Sequence, residues 1–108
     1  MLKGSIVLIP FPFTDLSGQN VRPALVLSEL KSSEDCIVAF ISSLKQKRIH
    51  EYDLAIDPSQ TNGLKIASVI KMEKIATLQK KSILGPVGKL EPSILRAVDE
   101  KLKKLFKL

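Results

Sequence analysis

Chemistry that relies on cysteine, histidine or tryptophan has little to work with in this sequence. Its 108 residues include one cysteine, one histidine and no tryptophan. A single cysteine, Cys36, excludes an intramolecular disulfide. The same counts exclude zinc sites built from four cysteines or from paired cysteines and histidines. Cys36 opens the apolar run Cys36-Ile37-Val38-Ala39-Phe40-Ile41, so its thiol reads as a small core hydrophobe and not as a nucleophile. The lone His50 rules out a two-histidine acid–base pair within one chain, and its polar surroundings, Lys45 to Glu51, read as a solvated loop. Phosphate loops of the Gly-x-x-x-x-Gly-Lys-Ser/Thr type, Gly-x-Ser-x-Gly elbows and His-Glu-x-x-His helices are all absent from the sequence. No apolar run approaches membrane-spanning length. The opening Met1-Leu2-Lys3-Gly4 leads straight into a strand-like segment without a signal peptide's apolar stretch. A cytoplasmic protein is expected.

What is present is an ordinary globular balance, with 44% hydrophobic and 26% charged residues. The length suits one compact domain over residues 1–108. Seventeen Lys+Arg against 11 Asp+Glu leave a formal charge of +6, which favours polyanionic partners but does not name one.

The first two thirds of the chain read as short strands. Ser5 to Ile9 is β-branched and ends against Pro10 and Pro12. Residues from Phe11 to Val21 have the Pro, Asp, Ser, Gly and Asn chemistry of an exposed loop. Strands follow at Ala24–Leu27, Asp35–Ile41, Tyr52–Ile56 and Ala67–Met72, with Ile75–Leu78 continuing the last or starting another. Asp57 to Gly63 reads as a turn or a short helical excursion. From Ile94 the apolar residues Ile94, Leu95, Val98, Leu102, Leu105 and Phe106 recur at steps of three and four, the spacing of an amphipathic helix. Pro92 suits its first turn, and Lys101, Lys103, Lys104 and Lys107 read as its solvated face. The connections are mostly too short for parallel crossovers. The fold class is therefore mainly β with a C-terminal helix, a largely antiparallel sheet bent into a partly open barrel.

Three groups of residues have chemistry to offer. Arg22-Pro23 closes a long loop and opens a strand, a placement suited to holding phosphate oxygens with a guanidinium fork; a salt bridge to a loop carboxylate such as Asp15 is the competing reading. Ser42 and Ser43 end a buried strand, where hydroxyls donate to an anion or simply form a turn. Lys45, Lys47 and Arg48 alternate beyond that strand, as phosphate contacts or as a solvated loop.

Taken in order, these pieces resemble the MazF/PemK family of toxin endoribonucleases. Gly4-Ser5-Ile6-Val7-Leu8 and the Pro-rich loop after it resemble the family's first strand and first long loop. Arg22-Pro23-Ala24-Leu25-Val26-Leu27-Ser28 is similar to its Arg-Pro-x-Leu-Val hallmark, and Val38-Ala39-Phe40-Ile41-Ser42-Ser43 to its strand ending in Ile-Thr-Ser. Ser68 to Leu78 resembles its Ser-Val-x-x-x-Asp/Glu-Gln-Ile-Arg-Thr-Ile segment, and Gly88-Lys89-Leu90 its Gly-x-Leu before the terminal helix.

The resemblance implies an SH3-like β-barrel with a terminal helix, a homodimer, and a cytoplasmic toxin neutralised by a cognate acidic antitoxin. The implied activity is cleavage of single-stranded RNA at short sequences, by attack of the substrate's own 2′-hydroxyl and without metal or other cofactor. The family's catalytic Arg and Thr fall on Arg22 and Ser42. Its RNA-contacting first loop falls on Pro12 to Asn20, with Phe13, Thr14 and Gln19 as the candidates, and its substrate-lining positions on Glu73 and Lys74; Ser43 and Lys45 join them as RNA-binding candidates on their own chemistry. Five aromatic residues in all leave Phe11 and Phe13 as the loop candidates for stacking a base, with anchoring of the loop into the core as the competing reading and only one of the two expected to be exposed. The family gives the arginine proton transfer as well, but an ordinary guanidinium stays protonated at neutral pH and is a poor base. Charge stabilisation is the role its chemistry supports. Ser42 keeps the family's hydroxyl and loses the methyl that restricts its rotamer. Ala76 stands where many members carry Arg, and Lys74 where they carry Gln, which implies a different sequence preference. The alternative on these departures is a module of the same fold that binds RNA or antitoxin with little or no turnover.

Overall fold

The computed structural model describes residues 2–10, 21–44 and 49–108. Six strands form one sheet: β1 (Ser5–Pro10), β2 (Val21–Glu29), β3 (Asp35–Ser43), β4 (Asp53–Ile56), β5 (Ser68–Gln79) and β6 (Gly85–Lys89). Their spatial order is β4-β5-β3-β2-β1-β6, and every pairing is antiparallel. The sheet curls into a half-barrel, and one helix, α1 (Pro92–Phe106), follows it.

Alternation along the strands builds a core on each face. Ile6, Leu25, Ala39, Ile41, Ile70 and Met72 point to one side, where Val98 and the half-buried Ile94, Leu95, Leu102 and Leu105 of α1 cover them. These are the residues whose spacing predicts the helix. Val7, Ile9, Ala24, Val26, Cys36 and Val38 form a second cluster on the opposite face. Strands buried on both faces read as near-continuous apolar runs, which is the pattern of β1 to β3.

Two strands differ from the sequence expectation. β2 starts at Val21, ahead of Ala24, and runs across Pro23. β6, with Gly85, Pro86 and Gly88, does not read as a strand at all; it survives because it is an edge that pairs only with β1. Ile75–Leu78 continues β5. Within β5 the register against β3 jumps from Phe40–Lys71 to Ala39–Ile75, so Met72, Glu73 and Lys74 have no β3 partner. Such an insertion bends the strand and increases its twist. Lys101 also departs from a purely solvated role, because its ammonium donates to the Glu51 carbonyl at 3.0 Å.

The connection from β4 to β5 is held from inside. Asn62 is fully buried. Its Oδ1 accepts the backbone N–H groups of Ser59 and Leu64, each at 3.0 Å, and its Nδ2 donates to the Asp57 carbonyl at 2.9 Å. The Ser59 hydroxyl accepts the Asn62 N–H at 3.0 Å and donates to the Glu91 carboxylate at 2.6 Å, which ties the loop to the residue before α1. Gly63 follows with φ +71°, and a Cβ there would run into the Val87 carbonyl of β6. A Cβ on Gly88 would lie 2.5 Å from the Asn62 carbonyl. Loop and edge strand thus pass backbone to backbone. Asn62→Ala leaves two donors and one acceptor without their partner; we expect a loss of about 2–4 kcal/mol in urea unfolding, with the m-value unchanged.

Candidate functional site

The sheet forks between β2 and β3. Their ladder runs from Glu29–Cys36 to Ala24–Phe40 and stops there. Beyond that point β2 pairs only with β1, through Leu8–Pro23, Ile9–Arg22 and Pro10–Val21. β3 continues only against β5, through Ile41–Ile70, Ser42–Val69 and Ser43–Ser68. Pro23 has no N–H to donate, so a proline in this central strand is tolerated where the ladder has already ended. Continuing the Ala24–Phe40 register by two residues sets Arg22 opposite Ser42. Both share the face of Ala24 and Phe40 by strand alternation, the face away from α1.

A cleft of about 460 Å³ occupies the fork. Arg22 and Pro23 line it from β2, Ile41, Ser42 and Ser43 from β3, Ser68 from β5, and Leu64, Lys65 and Ile66 from the loop before β5. Arg22 is half-buried, and its Nη1 donates to the Val21 carbonyl at 3.1 Å. The Ser68 hydroxyl donates to the Ile66 carbonyl at 2.9 Å, and the Leu44 N–H to the Ala67 carbonyl at 2.9 Å, which fastens the loop's end to β3. The described lining residues include two cations, Arg22 and Lys65, three serines and no carboxylate. A cleft of this make-up suits an anion, with the Ser42 and Ser43 hydroxyls as donors beside it, since the Ser68 proton is committed to Ile66.

The sequence-predicted residues divide into three groups. Arg22, Ser42 and Ser43 meet at the cleft. Glu73 and Lys74 are exposed on the β5 bulge and are not among its described lining residues. Phe13, Thr14, Gln19 and Lys45 lie outside the described residues, as do Phe11, Asp15, Lys47 and Arg48. Lys65 and Ser68 are the cleft residues that sequence reasoning missed. Ser68 falls within a matched motif, but nothing local marks Lys65, which reaches the cleft only through the fold of its loop.

Asp53 and Cys36 have structural places. His50 is exposed, and its backbone N–H donates to Asp53 Oδ2 at 3.0 Å. The same oxygen pairs with Lys71 Nζ at 3.2 Å across the β4–β5 register. Burial pushes the Cys36 thiol up from its ordinary value, against a smaller opposing pull from the nearby Lys80 ammonium. Among the described residues, no group of three His, Cys, Asp or Glu is placed to hold a metal ion, and no helix is long and apolar enough to cross a membrane.

Comparison with known proteins follows the same architecture. Residues 2–106 match the family model described as PemK-like, MazF-like toxin of type II toxin-antitoxin system. Comparison with curated protein sequences gives no match. Among solved structures, a mycobacterial endoribonuclease in complex with its cognate antitoxin is similar at TM-score 0.78 and 20% identity, over 100% of this chain and 96% of that one. Mycobacterium tuberculosis toxin MazF-mt6 is similar at TM-score 0.76 and 20% identity, over 96% of this chain and 97% of that one. A MazE–MazF structure from Deinococcus radiodurans is similar at TM-score 0.76 and 20% identity, over 100% of this chain and 96% of that one. At these identities the likeness establishes the fold.

A raised thiol pKa and complete burial both keep Cys36 out of its reactive thiolate form. The native protein should therefore resist a chromogenic disulfide reagent at about pH 8 and release one equivalent of chromophore only after unfolding in guanidinium. Rapid release from the native state would contradict a buried, structural cysteine.

Proposed function

The chain belongs to the family of PemK-like, MazF-like toxins of type II toxin–antitoxin systems, and we propose that it is an endoribonuclease acting on single-stranded RNA. The observation that carries this reading is the convergence of Arg22 and Ser42 on one cationic cleft at the fork of the sheet. In the proposed reaction the 2′-oxygen of the substrate attacks the adjacent phosphorus as its proton departs. The P–O5′ bond breaks, and the leaving 5′-oxygen takes up a proton. A 2′,3′-cyclic phosphate and a 5′-hydroxyl result. Negative charge builds on the phosphoryl oxygens in between. Arg22 is the permanent cation that stabilises it, and the Ser42 hydroxyl is a second donor from the facing strand. Preorganised donors aimed at developing charge are among the largest contributions an active site makes.

The reading extends to partners. Two of the similar structures are toxin–antitoxin complexes, and a cleft holding Arg22 and Lys65 without a described carboxylate suits an acidic antitoxin segment as well as RNA. The working form is proposed to be a homodimer. Glu73 and Lys74, exposed on the β5 bulge, are proposed to meet substrate beyond the cleft, with the first-loop residues Phe13, Thr14 and Gln19 and with Lys45 beside Ser43. Ser42 in place of threonine leaves its hydroxyl freer to rotate.

Purified protein incubated with a mixed-sequence single-stranded RNA in EDTA should cleave it and leave cyclic-phosphate and 5′-hydroxyl ends. Arg22→Ala should lose about 10²–10³-fold in kcat, and Ser42→Ala less, as expected for charge-stabilising donors. RNA that is bound and left intact would replace the enzyme by a binding module. Cleavage that needs added metal would overturn the mechanism.

A further inference from the structure

Lys65 was not foreseen from sequence, and no motif quoted above assigns it a role. Its place in the fold is specific. It lines the same cleft as Arg22 and Ser42 but comes from a different element, the loop between β4 and β5. The side chain is exposed, and among the described residues no carboxylate pairs with it. The backbone beneath it is constrained on both sides. Upstream, the buried Asn62 holds the Leu64 N–H at 3.0 Å, and Gly63 is pressed against Val87. Downstream, Ala67 accepts the Leu44 N–H, and Ser68 enters β5. A fixed base keeps the side chain at the mouth of the cleft while its four-carbon stem lets the ammonium adjust to a ligand. An ammonium there is a hydrated point charge suited to a phosphate oxygen and carries no base readout.

We propose that Lys65 binds a backbone phosphate of the RNA next to the one that Arg22 holds. The cleft thus grips two successive phosphates, one from β2 and one from the β4–β5 loop. The proposal rests on the endoribonuclease reading of this cleft. It adds a second electrostatic contact, which raises affinity and leaves the reacting phosphorus to Arg22 and Ser42.

The test uses a fluorescent 2′-O-methyl RNA oligonucleotide, which lacks the nucleophile and is bound without being cut. Its affinity is measured by anisotropy over a range of salt concentrations for wild type, Lys65→Gln, Lys65→Arg and, as a control on the exposed face of α1, Lys104→Gln. Each phosphate contact on a single strand contributes about 0.7 to the slope of log K against log salt. Lys65→Gln should reduce the slope by about that amount and weaken binding roughly fivefold to tenfold at moderate salt. Lys65→Arg and Lys104→Gln should keep the wild-type slope. In the cleavage assay Lys65→Gln should raise KM by a similar factor, with the loss falling on KM and not on kcat. An unchanged slope in Lys65→Gln, an equal loss in Lys104→Gln, or a loss confined to kcat would each overturn the proposal. A wild type that cleaves while Lys65→Gln keeps its slope defeats Lys65 alone. A wild type that binds but never cleaves defeats the enzyme reading, and the slope still decides Lys65.

Discussion

The candidate site depends on one interruption of hydrogen bonding. β2 and β3 share a ladder through the middle of the sheet and then part at Ala24–Phe40, beside a proline that has no ladder donor to offer. Each strand keeps its other neighbour, β1 for β2 and β5 for β3. The backbone groups on those sides remain paired, and the ones facing the fork open onto a cleft. Without that separation Arg22 and Ser42 would be a cross-strand pair on a continuous sheet, with little space for a ligand between them.

Keeping a forked sheet rigid needs support from both faces and from the loop that closes its end. Helix α1 covers one face through Val98 and its flanking leucines, and the second cluster fills the other. The β4–β5 loop is fastened by Asn62 from within, by Ser59 to Glu91 at the start of the helix, and by close passage against β6. Removing a buried amide that satisfies three backbone groups costs more than any exposed ion pair on this surface contributes. The polar interior of the loop is therefore what holds Lys65 and Ile66 at the cleft. For the RNA substrate proposed above, a rigid cationic cleft keeps the charges in place before the substrate arrives, so little reorganisation is needed as charge develops.

Much of this could be read along the chain. Near-continuous apolar runs mark β1 to β3, because those strands are buried on both faces, and the three-and-four spacing after Pro92 marks α1, because burial on one face imposes that period directly. Arg22 and Ser42 were legible through the motifs around them. Glu73 and Lys74 were legible as motif positions, but the bulge that carries them was not, since a register shift depends on what the facing strand does. β6 was hidden because glycine and proline speak against a strand, and only its edge position makes them tolerable. Lys65 was hidden because its neighbours in sequence, Leu64 and Ile66, say nothing about β2 or β3.

The amino-acid sequence by itself determined the kinds of element, the antiparallel connectivity imposed by short links, the absence of disulfide chemistry and the arginine–hydroxyl pair. Those follow from local periodicity, composition and residue chemistry, which need no knowledge of distant partners. Only the tertiary structure decided where the sheet forks, which face the pair shares, and that a lysine more than twenty residues beyond Ser42 joins them. These are consequences of strand register and of backbone packed against backbone at Asn62, Gly63 and Gly88. Such contacts are long-range by nature, and they exist only once the chain has closed on itself.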